Sequence, residues 1–127
     1  AAKMKSRRQH VVPLNSVACA VLAEIERERP EKAGYLFPGR TGRPLSENTL
    51  NAALKSLGYA GRHTSHGFRS TLSSLANEAG IARPDVIEAA LAHAEKDEVR
   101  AAYNRADYEK EKRLLFDWWG SILEKSE

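Results

Sequence analysis

Between residues 30 and 45 the chain carries Pro30, Gly34, Pro38, Gly39, Gly42 and Pro44. Proline fixes its own φ and has no N–H to donate, and glycine weakens a helix or strand interior, so no regular element can run through this stretch. It must be a loop, and Tyr35-Leu-Phe37 inside it is predicted to anchor it to the core. Everything else has to be built from the two flanking segments, and both carry helical spacing.

Upstream, residues 1–14 are basic and turn apolar at His10-Val-Val-Pro-Leu14. Consecutive valines favour a strand, and Pro13 confines it to an edge or ends it. Ser16 is a suitable N-cap for a helix reaching about Arg29, with Val21, Leu22 and Ile25 inward and Pro30 as its stop. After the loop, Ser46 can cap a helix striped by Leu50, Ala53, Leu54 and Leu57 and closed by Gly58. Thr64 or Ser65 caps the next, which is expected to bury Phe68, Leu72, Leu75 and Ala79 and to end at Gly80. Pro84 suits the first turn of a helix to about Ala92 that offers Val86, Ile87, Ala90 and Leu91 for packing. After a polar break at 94–97, Glu98 to about Ala106 reads as a short helix, and Asp107 to about Leu123 as a long amphipathic one. The fold class is mainly α with a small N-terminal β element, in a 127-residue chain that makes one domain or part of one.

Charge is distributed unevenly. Residues 1–69 hold 12 Lys and Arg against 5 Asp and Glu, whereas residues 70–127 hold 8 against 12. A basic half with Arg7, Arg8, Arg40, Arg43, Arg62 and Arg69 suits a polyanion such as DNA, although solvated surface charge reads the same way. No apolar run approaches the roughly 18 residues that cross a bilayer, so a membrane partner is not expected. The lone Cys19 fits a reducing, cytoplasmic compartment.

The residues with chemistry to offer lie between 66 and 103. His66 and Arg69 stand three apart at a helix start, His93 follows a second helix, and Tyr103 comes ten residues later. Guanidinium binds phosphate oxygens in pairs, imidazoles move protons near neutral pH, and a phenol can act as a covalent nucleophile. Tyr108 is a competing phenol. His10, His63, His66, His93 and Cys19 offer metal-ligand atoms, but no Cys-x-x-Cys or His-Glu-x-x-His spacing accompanies them, so no metal or other cofactor is expected.

The motifs His-Thr-Ser-His-Gly-Phe-Arg (63–69), Leu-Ala-His (91–93), Val-Arg-Ala-Ala-Tyr-Asn-Arg (99–105) and the Trp118-Trp119 pair occur in an order that resembles the tyrosine recombinases, the phage integrase family of prophages and genomic islands. Met-Lys-Ser-Arg-Arg-Gln-His-Val-Val-Pro-Leu (4–14) and Leu-Phe-Pro-Gly (36–39) resemble the same group. The resemblance implies the fold of DNA breaking-rejoining catalytic domains. Residues 1–127 would be the C-terminal part of one such domain, truncated at its N-terminus. It implies site-specific recombination, as in prophage integration and excision, through a 3′-phosphotyrosyl intermediate. Tyr103 would be the nucleophile, Arg69, His66 and His93 would attend the phosphate, and Lys5 (or Lys3) would protonate the leaving oxygen. Arg7, Arg8, Arg40, Arg43, Arg62 and His63 are the expected DNA contacts. The implied partners are attachment-site DNA, further copies in a synaptic tetramer with Trp118-Trp119 at a packing interface, and accessory DNA-bending proteins, all in the cytoplasm of a bacterial host.

The family's further arginine, upstream of the hairpin lysine, has no match here. The alternative reading is therefore a non-catalytic DNA-binding or subunit-docking module that retains the motif. A second expectation concerns residues 1–14. If the sheet to which residues 10–14 belong lies mostly upstream, these residues make no ladder within the chain and the fragment alone cannot recombine DNA.

Overall fold

A computed structural model describes residues 9–29, 34–93 and 108–125. Five α-helices account for most of them: α1 (Ser16–Glu28), α2 (Thr49–Leu54), α3 (Gly67–Ala79), α4 (Pro84–Ala90) and α5 (Tyr108–Lys125). The chain divides into two compact units. One comprises Ala1–Ala18 with Leu72–Glu127 and the other Cys19–Thr71, so the boundaries fall within α1 and α3.

The first unit holds the core. Leu72 and Ala76 of α3, Ile87, Ala90 and Leu91 of α4 and its end, and Leu115 of α5 form one buried cluster. Ala82, Phe116, Trp118 and Trp119 pack around it, half-buried. The Trp rings are tilted at 38° with centroids 6.2 Å apart. Val86 is fully buried beside the cluster's sequence neighbours. All four apolar residues expected to face inward from α4 do so. α3 differs from expectation, because its inward face runs through Leu72 and Ala76 while Phe68 and Leu75 are 54% and 38% exposed and Ala79 is exposed as well. The inward pair are four residues apart, one helical turn, whereas Phe68 belongs to the first turn in the other unit.

Asn15 ties this unit together. Its Oδ1 accepts from the Ala18 N–H at 2.9 Å, capping α1. Its Nδ2 donates to the Phe116 carbonyl of α5 at 2.6 Å. The cap of α1 is thus Asn15, one residue before the expected Ser16, since only Asn15 has a side chain that can serve both helices. The close approach requires Gly120, where a Cβ would lie 2.9 Å from the Asn15 Nδ2.

Among the described residues the expected N-terminal β element does not form. Residues 9–15 have no regular structure, and among the described residues no strand is present, only an isolated bridge between Pro38 and Pro44. Pro13 removes a ladder donor, and valine's β preference is realised only against a partner strand. Val11 and Val12 are accordingly exposed.

In the second unit no described residue is buried. Leu50 and Leu57 of the expected stripe are 59% and 72% exposed, Val21 of α1 is half-exposed, and Tyr35 and Phe37 do not anchor their loop. Some 50 residues can enclose little volume, so backbone and side-chain hydrogen bonds do more here. Arg29 donates to the Tyr35 carbonyl at 3.3 Å and pairs with Glu26 at 3.0 Å. The Ser46 hydroxyl meets that of Thr49 at 2.9 Å, while Asn48 occupies the cap position of α2 without a side-chain bond. α2 continues into a π-helical turn, Lys55–Tyr59, that breaks at Gly58 with φ 95°, a left-handed value that explains glycine there.

Candidate functional site

His66 and Arg69 enter α3 at its first turn. The Gly67 N–H is accepted by both the Thr64 hydroxyl, at 3.1 Å, and the Thr64 carbonyl, at 3.0 Å, so Thr64 is the capping residue of the two candidates. Two residues upstream, the Ser65 N–H donates to the Asn51 Oδ1 of α2 at 2.8 Å. The Arg69 N–H donates to the His66 carbonyl at 3.1 Å. This turn is therefore fixed at three backbone donors, and the two side chains it carries are exposed. A helix start presents partial positive charge, and the guanidinium and imidazole on this turn are donors of the kind that can meet an anion.

His63 is turned into the same unit. Its ring meets Phe68 edge-on with centroids 4.3 Å apart, and its Nε2 is buried with no hydrogen-bond partner. A Cβ on Gly67 would lie 3.0 Å from that ring, so glycine at the start of α3 lets His63 pack beneath it. Among the expected DNA contacts, His63 is thus a packing neighbour of the His66–Arg69 turn.

Arg40 and Arg43 are exposed on a tight turn. The Gly39 N–H donates to the Arg43 carbonyl at 2.6 Å, and the Gly42 N–H to the Gly39 carbonyl at 3.3 Å. Gly42 has φ 74°, and a Cβ on Gly39 would come within 3.0 Å of the Arg43 carbonyl oxygen, so both glycines are required by this turn. Arg62 is exposed after Gly61, its N–H bonded to the Tyr59 carbonyl at 2.9 Å.

His93 belongs to the other unit, at the end of α4. The helix closes through Ala92, a non-glycine residue with φ 60°. The Ala92 N–H donates to Ala89 and the His93 N–H to Glu88, at 3.1 and 2.9 Å, the paired bonds of a Schellman ending. The His93 ring also bonds through Nδ1 to the Glu88 carboxylate. No sequence motif singles out Glu88, and Ala92 stands out only as the expected helix end and within Leu-Ala-His. Their signal is there, however: in this helix ending the residue five before the histidine is brought back to it.

The start of α4 is tied to the start of α5. The Tyr108 hydroxyl donates to Asp85 at 2.9 Å, and Arg83 pairs with Glu111 at 2.9 Å. That hydrogen bond to Glu111, with Asp85 adding to it, holds the Arg83 guanidinium above the usual arginine pKa. Tyr103 and Lys5, with Lys3, Arg7 and Arg8, lie outside the described residues. The run that contains Tyr103 leaves the described chain after His93 and rejoins it at Tyr108. Among the described residues no three His, Cys, Asp or Glu side chains are grouped as metal ligands, and no helix is long and apolar enough to cross a membrane.

The profile of the Phage integrase family matches residues 2–110. Prophage integrase IntA of Escherichia coli K12 is 45% identical over the whole of this chain, which covers 31% of that protein. The integrase of Enterobacteria phage P4 is 36% identical over 95% of the chain and 28% of its own length. Prophage integrase IntZ of Escherichia coli K12 is 38% identical, again over 95% of the chain and 30% of its own length. The chain thus spans about a third of the length of the curated relatives it matches. No solved structure matches it.

Proposed function

The chain belongs to the phage integrase family, and from that premise we propose that it supplies the catalytic C-terminal part of a recombinase that cuts and rejoins attachment-site DNA through a 3′-phosphotyrosyl bond. The Tyr103 oxygen attacks phosphorus and the bond to the 5′-oxygen breaks. The phenolic proton passes to His66, and Lys5 or Lys3 returns one to the leaving oxygen. One phosphate ester replaces another of similar energy, so rejoining needs no external energy source. Free tyrosine has a pKa of about 10, so at neutral pH roughly one in a thousand is phenolate, and a base beside it is needed. Arg69 and His93 then stabilise charge on the non-bridging oxygens.

The observation that carries this reading is the capped first turn of α3, which presents His66 and Arg69 together from exposed positions. Tyr108 is the weaker nucleophile, because its hydroxyl already donates to the Asp85 carboxylate, which opposes phenolate formation. Arg40, Arg43 and Arg62, with Arg7 and Arg8, would bind flanking phosphates. Duplex DNA, further copies of the recombinase and accessory bending proteins are the partners that follow, in the host cytoplasm. The test is a nicked suicide attachment site offered to a full-length integrase carrying this segment. A covalent adduct mapping to Tyr103 is expected, and an adduct at Tyr108 or none would overturn the reading.

The alternative reading is a non-catalytic DNA-binding or subunit-docking module that retains the motif. The same assay separates the two, since only the enzyme leaves a covalent product.

A further inference from the structure

We propose that Glu88 is the positioning residue of His93, setting which imidazole nitrogen faces the DNA phosphate; this rests on the reading of His93 given above. Two contacts of different kinds join the same pair. The His93 N–H donates to the Glu88 carbonyl at 2.9 Å, and the ring Nδ1 bonds to the Glu88 carboxylate. The first fixes the backbone of the residue and the second fixes its ring.

An ionised carboxylate only accepts, so Nδ1 carries the proton in this bond. The ring then presents Nε2, as an acceptor when neutral and as a donor when charged. Both side chains are about half exposed, at 49% and 50%, so the pair contributes little to folding and acts on orientation and tautomer. The backbone supports that division of labour. Ala92 is held at φ 60°, a conformation unfavourable for alanine, and this bend carries His93 back over the last turn of α4 to Glu88.

Two measurements test the role. In this chain, long-range proton–nitrogen correlation spectra of the His93 ring should show the neutral form protonated at Nδ1. Glu88→Ala should shift it toward the Nε2-protonated form that unconstrained histidine prefers, with helix content unchanged. In a full-length integrase carrying the segment, Glu88→Ala should slow formation of the phosphotyrosyl adduct about tenfold or more, the scale seen when a carboxylate orienting a functional histidine is removed. DNA affinity should hold, and Glu88→Gln, which keeps an acceptor for Nδ1–H, should restore most of the rate.

If His93→Ala cleaves poorly while Glu88→Ala cleaves like the parent with an unchanged tautomer, the role of Glu88 is refuted and that of His93 stands. If His93→Ala cleaves normally, the reading of His93 itself is wrong, and the role of Glu88 goes with it.

Discussion

At the scale of single residues, the proposed function gives two tyrosines five apart different roles. Tyr108 donates to an Asp85 side chain that is 15% exposed. Tyr108→Phe should therefore cost about 1 kcal/mol in denaturant unfolding, since it leaves that carboxylate short of a donor. It should leave adduct formation intact. Tyr103→Phe should do the reverse, abolishing the adduct with stability and DNA affinity nearly unchanged, because a phenol adds little to backbone binding. Both variants behaving alike would contradict the assignment. Arg69→Ala should lower the cleavage rate far more than DNA affinity, as measured by single-turnover kinetics beside equilibrium binding. Equal losses would make Arg69 a positioning contact with no special part in the transition state.

At the scale of elements, helix ends account for most of what is specific here. Ala92 occupies a left-handed C-terminal position, where a non-glycine residue is disfavoured by about 1–2 kcal/mol. Ala92→Gly relieves this, less the extra chain entropy of glycine, so a gain of about 0.5–1 kcal/mol and a few degrees in Tm is expected. A lower Tm would show that the bend is not strained. At the other end of the same unit, Asn15 both caps α1 and satisfies the Phe116 carbonyl. Asn15→Ala should cost about 2 kcal/mol, joining a lost cap to a carbonyl left unpaired. Urea titration would read it directly. The Arg83–Glu111 pair between α4 and α5 behaves differently with pH. A pKa raised in the folded state contributes stability that is fully present below the unfolded value and lost only as pH rises through the folded one. For arginine that window lies in strong alkali, so this contribution is flat through neutral pH and is weakened by salt.

At the scale of the whole molecule, the described arginines proposed to meet DNA and the buried apolar cluster lie in different units. Arg40, Arg43, Arg62 and Arg69 belong to the unit in which no described residue is buried. If these four contact phosphates, log affinity for duplex DNA should fall with log salt at a slope of roughly −3 to −4, and replacing Arg40 and Arg43 by alanine should reduce the slope by about 2. A slope insensitive to both would remove that turn from the interface. Stability should respond to the other unit. Leu115→Ala, at a fully buried position, should cost about 3 kcal/mol, a size typical of emptied leucine sites.

How far the sequence reached follows from the range of the forces involved. Loop position, five helices, the glycine stops at Gly58 and Gly80 and the inward face of α4 were legible, because they follow from φ restrictions and spacing within a few residues. The pairing of His66 with Arg69 on one turn was legible for the same reason. Family membership came from motif order. The valines at 11 and 12 were misread as a strand, since a strand exists only where another chain segment offers a ladder. Val21, Phe68 and Leu75 were misread as inward-facing and the aromatics at 35 and 37 as an anchor to the core, since burial depends on what the rest of the fold brings to them. Asn15 as the joint cap and tether, Gly120 as the space for it, and Glu88 as the partner of His93 were decided by tertiary structure or by the path of a helix end. Periodicity tells which residues share a face; only the folded chain decides what meets that face.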